Sequence, residues 1–222
     1  NTNGFAAKQM AALRSMIDST EQIEPAACAA NLDVVKQPKG NREPGWRVIT
    51  SEQVCQLPEP WRDWLVHQGS LTARLQQRCA GQLSVEVLSQ DWRVPLRSEQ
   101  RHLALEPHQT ALVREVVLSG HGHPWVYARS IIPSAAFECA LTPGHTLDEQ
   151  PLGAWLFGEP SMTRGAIEVA EVTADYLGAF QLRSGVGSMW ARRSVFCVHD
   201  KPLLVTEVFL PSLNELGGDT DQ

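Results

Sequence analysis

Two ten-residue runs, ALVREVVLSG (111–120) and PWVYARSIIP (124–133), stand either side of the turn Gly120-His121-Gly122-His123. Both are rich in β-branched and aromatic residues, and glycine in the turn accepts the left-handed backbone a tight hairpin needs. The pair therefore predicts two adjacent antiparallel strands. Four further segments read the same way: SVEVLSQDW (84–92), RGAIEVAEV (164–172), MWARRSVFCV (189–198) and KPLLVTEVFLP (201–211), the last two joined at His199-Asp200. Helical signals are fewer. PEPWRDWLVHQ (58–68) puts Trp61, Trp64 and Leu65 on one face and Gly69 breaks it. Ser70 can cap LTARLQQRCAG (71–81), which ends at Gly81. A shorter helix fits LGAWLF (152–157). Hairpins with a few helices predict an α+β domain: a single antiparallel sheet of about six strands, helices on one side, and a helix-turn-helix hairpin among them.

Three charges fall where strand alternation does not expect them. Arg114 shares a face with Leu112, Val116 and Leu118; Arg129 shares one with Trp125, Tyr127 and Ile131; Glu207 shares one with Leu203, Val205 and Phe209. The opposite faces are also largely apolar, so these strands read as central ones covered on both sides. A charge buried alone costs several kcal/mol, so each must be paired or liganded. Three arrangements satisfy that: a buried Arg–Glu pair serving only the fold, a strand end where Glu207 reaches water, or a binding site. Two arginines against one carboxylate leave a positive charge over, which favours an anionic ligand.

Composition narrows the classes further. A chain of 222 residues, 43% hydrophobic and 20% charged, can bury a real core, which excludes disorder and a disulfide-dense miniprotein. A net charge of -6 argues against a broad nucleic-acid surface, though not against one positive pocket. No run approaches the roughly 20 apolar residues of a membrane span. The five cysteines (Cys28, Cys55, Cys79, Cys139 and Cys197) are odd in number and show no C-x-x-C spacing, which fits reduced thiols in the cytoplasm.

Residues 5–17 have the spacing of a short amphipathic helix, and KQPKGNREPG (36–45) reads as a linker. Residues 1–45 are therefore expected to form an extension, too short for a DNA-reading head, before a domain over 46–213 and a polar tail over 214–222. His121 and His123 lie in a hairpin turn with no third metal ligand nearby, and Gly185-Val186-Gly187 lacks the context of a dinucleotide site. No metal and no organic cofactor is expected.

The ordered set GSLTARL (69–75), LVREVVL (112–118), PWVYARSIIP (124–133), PLGAWLF (151–157), WARRS (190–194) and KPLLVTEVFLP (201–211) resembles the motifs of the bacterial chorismate pyruvate-lyases, from about Trp46 to Leu213. The resemblance implies a cofactor-independent lyase that removes pyruvate from chorismate and leaves 4-hydroxybenzoate, the ring precursor of ubiquinone. It also implies a single antiparallel sheet with a helical flap closing over a buried site. With the charge and hydropathy above, a monomer with no nucleic-acid partner and no stable membrane insertion is expected. By the same resemblance Arg114 binds the ring carboxylate, together with the backbone amides of Leu71 and Leu152. Glu207 meets the ring hydroxyl, as base or as orienter, and Arg129 meets the enolpyruvyl carboxylate. The family commonly has methionine where Leu71 stands, a change that a backbone contact tolerates. The segment 172–189 is longer than the family's turn and is expected to form a longer hairpin or a partner surface. Two rivals remain open: an effector-binding module of the same fold, and a related lyase giving another hydroxybenzoate isomer.

Overall fold

A computed structural model describes residues 43–140, 152–177 and 187–215, all within a unit spanning 40–222. The helix expected over 5–17, most of the linker, positions 178–186 and most of the tail lie outside the described residues.

Among the described residues the strands are β1 (Arg47–Val48), β2 (Leu83–Arg93), β3 (Ala111–Gly120), β4 (His123–Ile132), β5 (Thr163–Arg164), β6 (Glu168–Val172), β7 (Met189–Val198) and β8 (Lys201–Phe209). They form one antiparallel sheet in the order β1-β6-β7-β8-β4-β3-β2, with β5 pairing the free part of β7. The α+β sheet of the sequence reading is thus present, with eight strands in place of six. The difference lies in two two-residue strands, β1 and β5, too short to show a period-two pattern. The segment 164–172 divides between β5 and β6.

Both principal hairpins close on two residues in the left-handed region: His121 and Gly122 (φ 52° and 78°), then His199 and Asp200 (φ 48° and 61°). Such turns match the right-handed twist of the strands they join. The first hairpin carries a bulge. Leu118 pairs with Val126 but Ser119 pairs with Pro124, so Trp125 is an extra residue on β4. Its ring lies where a Cβ on Gly120 would sit, 2.2 Å from that position, so only glycine fits there.

The helices are α1 (Glu59–Val66), α2 (Leu71–Arg78), α3 (Arg97–His102), α4 (Ser134–Ala140), α5 (Leu152–Gly158) and α6 (Ser212–Glu215). α1 and α2 form the expected helical hairpin, with the Ser70 hydroxyl accepting from the amide of Ala73. Their apolar stripes (Trp64, Leu65, Leu71 and Leu75) pack on Val116, Leu118, Val126 and Phe209 of the sheet. α4 and α5 cover the neighbouring part of the same face through Ala136, Leu152 and Leu156. The other face is not bare, as helices on one side would leave it. Tyr176 and Leu177, in a 3₁₀ turn, pack there on Tyr127, Met189 and Val208, with Trp46 and Leu96 alongside.

Candidate active site

Strand pairing sorts the buried charges between the two faces. Arg114 stands opposite Ser130, Ala128 opposite Glu207, and Glu207 opposite Arg192, so Arg114, Glu207 and Arg192 share the face beneath the flap helices. Glu115 stands opposite Arg129, and Arg129 opposite Thr206, on the far face. The bulge at Trp125 decides this. A ladder running without a break from the turn would put Arg114 opposite Arg129; the extra residue moves the register by one and sends Arg129 through the sheet.

The structure therefore corrects the expected grouping of the three charges. Arg129 is not among the residues lining the pocket that holds Arg114 and Glu207, and instead donates from Nε and Nη2 to Glu99 (2.7 and 3.0 Å) and from Nη1 to Glu115 (2.7 Å). Glu115 also accepts from Tyr127 Oη (2.7 Å), Ser89 Oγ (2.6 Å) and Arg93 Nη2 (2.9 Å). Burial pushes the Glu115 carboxyl up, but the Ser89 and Tyr127 hydrogen bonds and the charges of Arg129 and Arg93 outweigh it and hold the pKa at about 2. The positive charge of Arg129 is thus compensated from within the fold.

On the near face one pocket brings together Leu71, Arg114, Leu152 and Glu207, the other expected site residues. Arg114 is 1% exposed, and its Nε donates to Gln90 Oε1 at 3.0 Å. Leu71 and Leu152 are the first residues of α2 and α5, where backbone N–H groups have no acceptor within the helix. The two helix ends meet closely: a Cβ on Gly153 would lie 2.8 Å from Thr72 Oγ1, which explains a glycine after Leu152. Val116, Leu118, Ala128, Leu156 and Phe196 supply apolar walls.

Two further arginines line this pocket, Arg192 and Arg164. Arg192, 1% exposed, donates from Nε to Glu207 Oε2 (2.5 Å) and from Nη1 to the carbonyls of Trp64 (2.8 Å) and His67 (2.7 Å). Arg164 donates from Nε to Ser194 Oγ (3.1 Å) and from Nη1 to the carbonyls of His67 (3.2 Å) and Gln68 (3.0 Å). The two guanidiniums thus hold the C-terminal carbonyls of α1 and the bend into α2. Burial and the charge of Arg192 lower the pKa of Arg164 to about 10, although Glu207 opposes the shift. The same burial, with the charges of Arg74, Arg192 and Arg164, lowers that of His67.

Sequence reasoning singled out neither Arg164 nor Arg192, although a signal existed for the second. Counting outward from the His199-Asp200 turn, Arg192 falls opposite Glu207 without any irregularity.

The model of the chorismate lyase family matches residues 45–215. A protein of Marinobacter nauticus described as "probable chorismate pyruvate-lyase" is 40% identical over 154 residues, 69% of this chain and 78% of its own. One of Pseudomonas aeruginosa with the same description is 36% identical over 173 residues, 78% of this chain and 96% of its own. Among solved structures, the C-terminal domain of the histidine utilization repressor from Pseudomonas syringae aligns over 63% of this chain and 99% of its own at 14% identity, with a TM-score of 0.45. That overlap carries nothing further. The family match and the relatives agree with each other, and the match over 45–215 spans the described sheet and flap: the chain belongs to the chorismate lyase family.

Proposed function

We propose that the protein eliminates pyruvate from chorismate to leave 4-hydroxybenzoate, in the bacterial cytoplasm and as a monomer, with the site between the sheet and the α1–α2 flap. The observation that carries this reading is the convergence of Arg114 and Glu207, from β3 and β8, on one apolar-walled pocket with the opening residues of α2 and α5. Arg114 takes the ring carboxylate as a charge-assisted pair, and the Leu71 and Leu152 amides add donors to the same group. Glu207 meets the ring hydroxyl, with its carboxylate fixed by Arg192 Nε.

In the reaction the C3–O ether bond breaks, the hydrogen on C4 leaves, and the ring becomes aromatic. The enolpyruvyl fragment gains a proton and departs as pyruvate, so atoms and charge balance. Aromatisation supplies the driving force. The protein holds the enolpyruvyl arm in a reactive conformation and keeps water out once the flap is down.

Glu207→Gln tests whether this carboxylate is a base. If Glu207 takes the C4 proton, turnover should fall by about 10²-fold or more at unchanged KM; if it only orients the hydroxyl, the fall should be small. Steady-state kinetics on the folded variant decide between the two.

The product isomer follows from Arg114 and Glu207 gripping opposite ends of the ring. 4-Hydroxybenzoate should inhibit competitively, because a closed flap retains it. 3-Hydroxybenzoate should inhibit about tenfold or more weakly, since its hydroxyl misses Glu207. Equal inhibition by the two isomers, or none, would count against the proposed site. Turnover should also persist in excess chelator, because the elimination asks for no Lewis acid.

A further inference from the structure

Among the described residues the pocket is lined by three guanidiniums (Arg114, Arg164 and Arg192) and one carboxylate, Glu207. Arg192 takes Glu207 as its ion-pair partner. Arg164 has a hydroxyl and two carbonyls for partners, and no described carboxylate lies within ion-pair distance of it. Its Nη2 makes no hydrogen bond to a described residue. A half-buried guanidinium beside a second guanidinium, with only neutral partners, is an electrostatically costly arrangement that an anion relieves. The downward shift in the pKa of Arg164, caused by burial and by Arg192, has the same origin.

We infer that Arg164 receives the second carboxylate of the substrate, the one on the enolpyruvyl arm, with Arg192 behind it. The inference rests on the proposed reaction and moves to Arg164 a role that the family resemblance gave to Arg129. Chorismate is a dianion, and Arg114 accounts for only its ring carboxylate. Arg164 lines the same pocket from β5, across β7 from the strand that carries Glu207, and stacks over Phe196 with its guanidinium carbon 5.1 Å from the ring centre. Its Nη1 is tied to the bend between α1 and α2, so an anion drawn to Arg164 is held where the flap closes. With Nε and Nη1 already engaged, Nη2 is the nitrogen left to meet the carboxylate.

The product has lost the enolpyruvyl carboxylate, and this provides the test. Arg164→Gln removes the charge and keeps a polar group near Ser194 and the bend. Its KM for chorismate should rise about thirtyfold or more, while the dissociation constant for 4-hydroxybenzoate, measured by calorimetry, should change less than about threefold. Arg164→Lys should recover part of the chorismate affinity. If Arg164 only latches the flap, both ligands should weaken alike, since the flap closes over both; equal losses overturn the inference. An unchanged KM in Arg164→Gln overturns it as well, and leaves the proposed reaction standing as long as the wild-type protein converts chorismate. A wild-type protein that does not convert chorismate removes both.

Discussion

Replacing Arg114 with alanine should weaken chorismate and 4-hydroxybenzoate together, because both carry the ring carboxylate. Truncating one partner of a buried charge pair typically costs about 2–5 kcal/mol, which is about thirtyfold or more in each constant. KM for chorismate and the calorimetric dissociation constant for the product should therefore move in parallel, in contrast to the split expected at Arg164. Arg114 is 1% exposed and bonded to Gln90, so part of the loss could come from the fold. A denaturant titration separates the two, and Gln90→Ala, which removes only the supporting acceptor, should have the smaller effect on affinity. An Arg114→Ala protein that folds and binds both ligands with wild-type affinity contradicts the site.

The second large effect is expected on the far face and in a different quantity. Arg129→Ala leaves Glu99 and Glu115 buried without the guanidinium they share, and breaking a buried pair in this way costs about 3–5 kcal/mol of stability. Denaturation by urea should show it. The loss should depend on pH, with a sign set by Glu115. Its carboxyl ordinarily titrates near 4.5 and is held at about 2 in the fold, so its contribution is fully present above pH 4.5 and disappears as pH falls through about 2. The stability gap between wild type and Arg129→Ala should narrow over that window. A variant of undiminished stability that has lost turnover would instead show that Arg129 reaches the substrate.

The contrast between these arginines shows what the sequence could convey. Period-two alternation marked Arg114, Arg129 and Glu207 as strand charges among apolar neighbours, and the two arginines are buried while Glu207 is partly so. Which face belongs with which is a matter of register. Between β7 and β8 the register runs unbroken from a two-residue turn, so the meeting of Arg192 with Glu207 was legible and simply went uncounted. Between β3 and β4 one bulged residue, Trp125, reverses the result, and nothing local in PWVYARSIIP announces it. Glu115 was visible beside Arg114 in LVREVVL, yet its partners Ser89, Glu99-bound Arg129 and Tyr127 come from other elements. Arg164 was hidden for a further reason. It belongs to a two-residue strand whose place depends on pairing with β7, a contact about thirty residues away along the chain. The opening residues of α2 and α5 were marked by Ser70 and by PLG, and the close approach of Gly153 to Thr72 explains why that glycine stands there.

Whether the pocket beneath α1 and α2 carries out the elimination is decided by following both products at once. Purified protein is mixed with chorismate in the presence of excess chelator; pyruvate is measured enzymatically and the aromatic product by chromatography. Equimolar pyruvate and 4-hydroxybenzoate are expected, with the rate lost in Arg114→Ala. Chorismate that binds and is recovered unchanged, or a different hydroxybenzoate isomer, would contradict it.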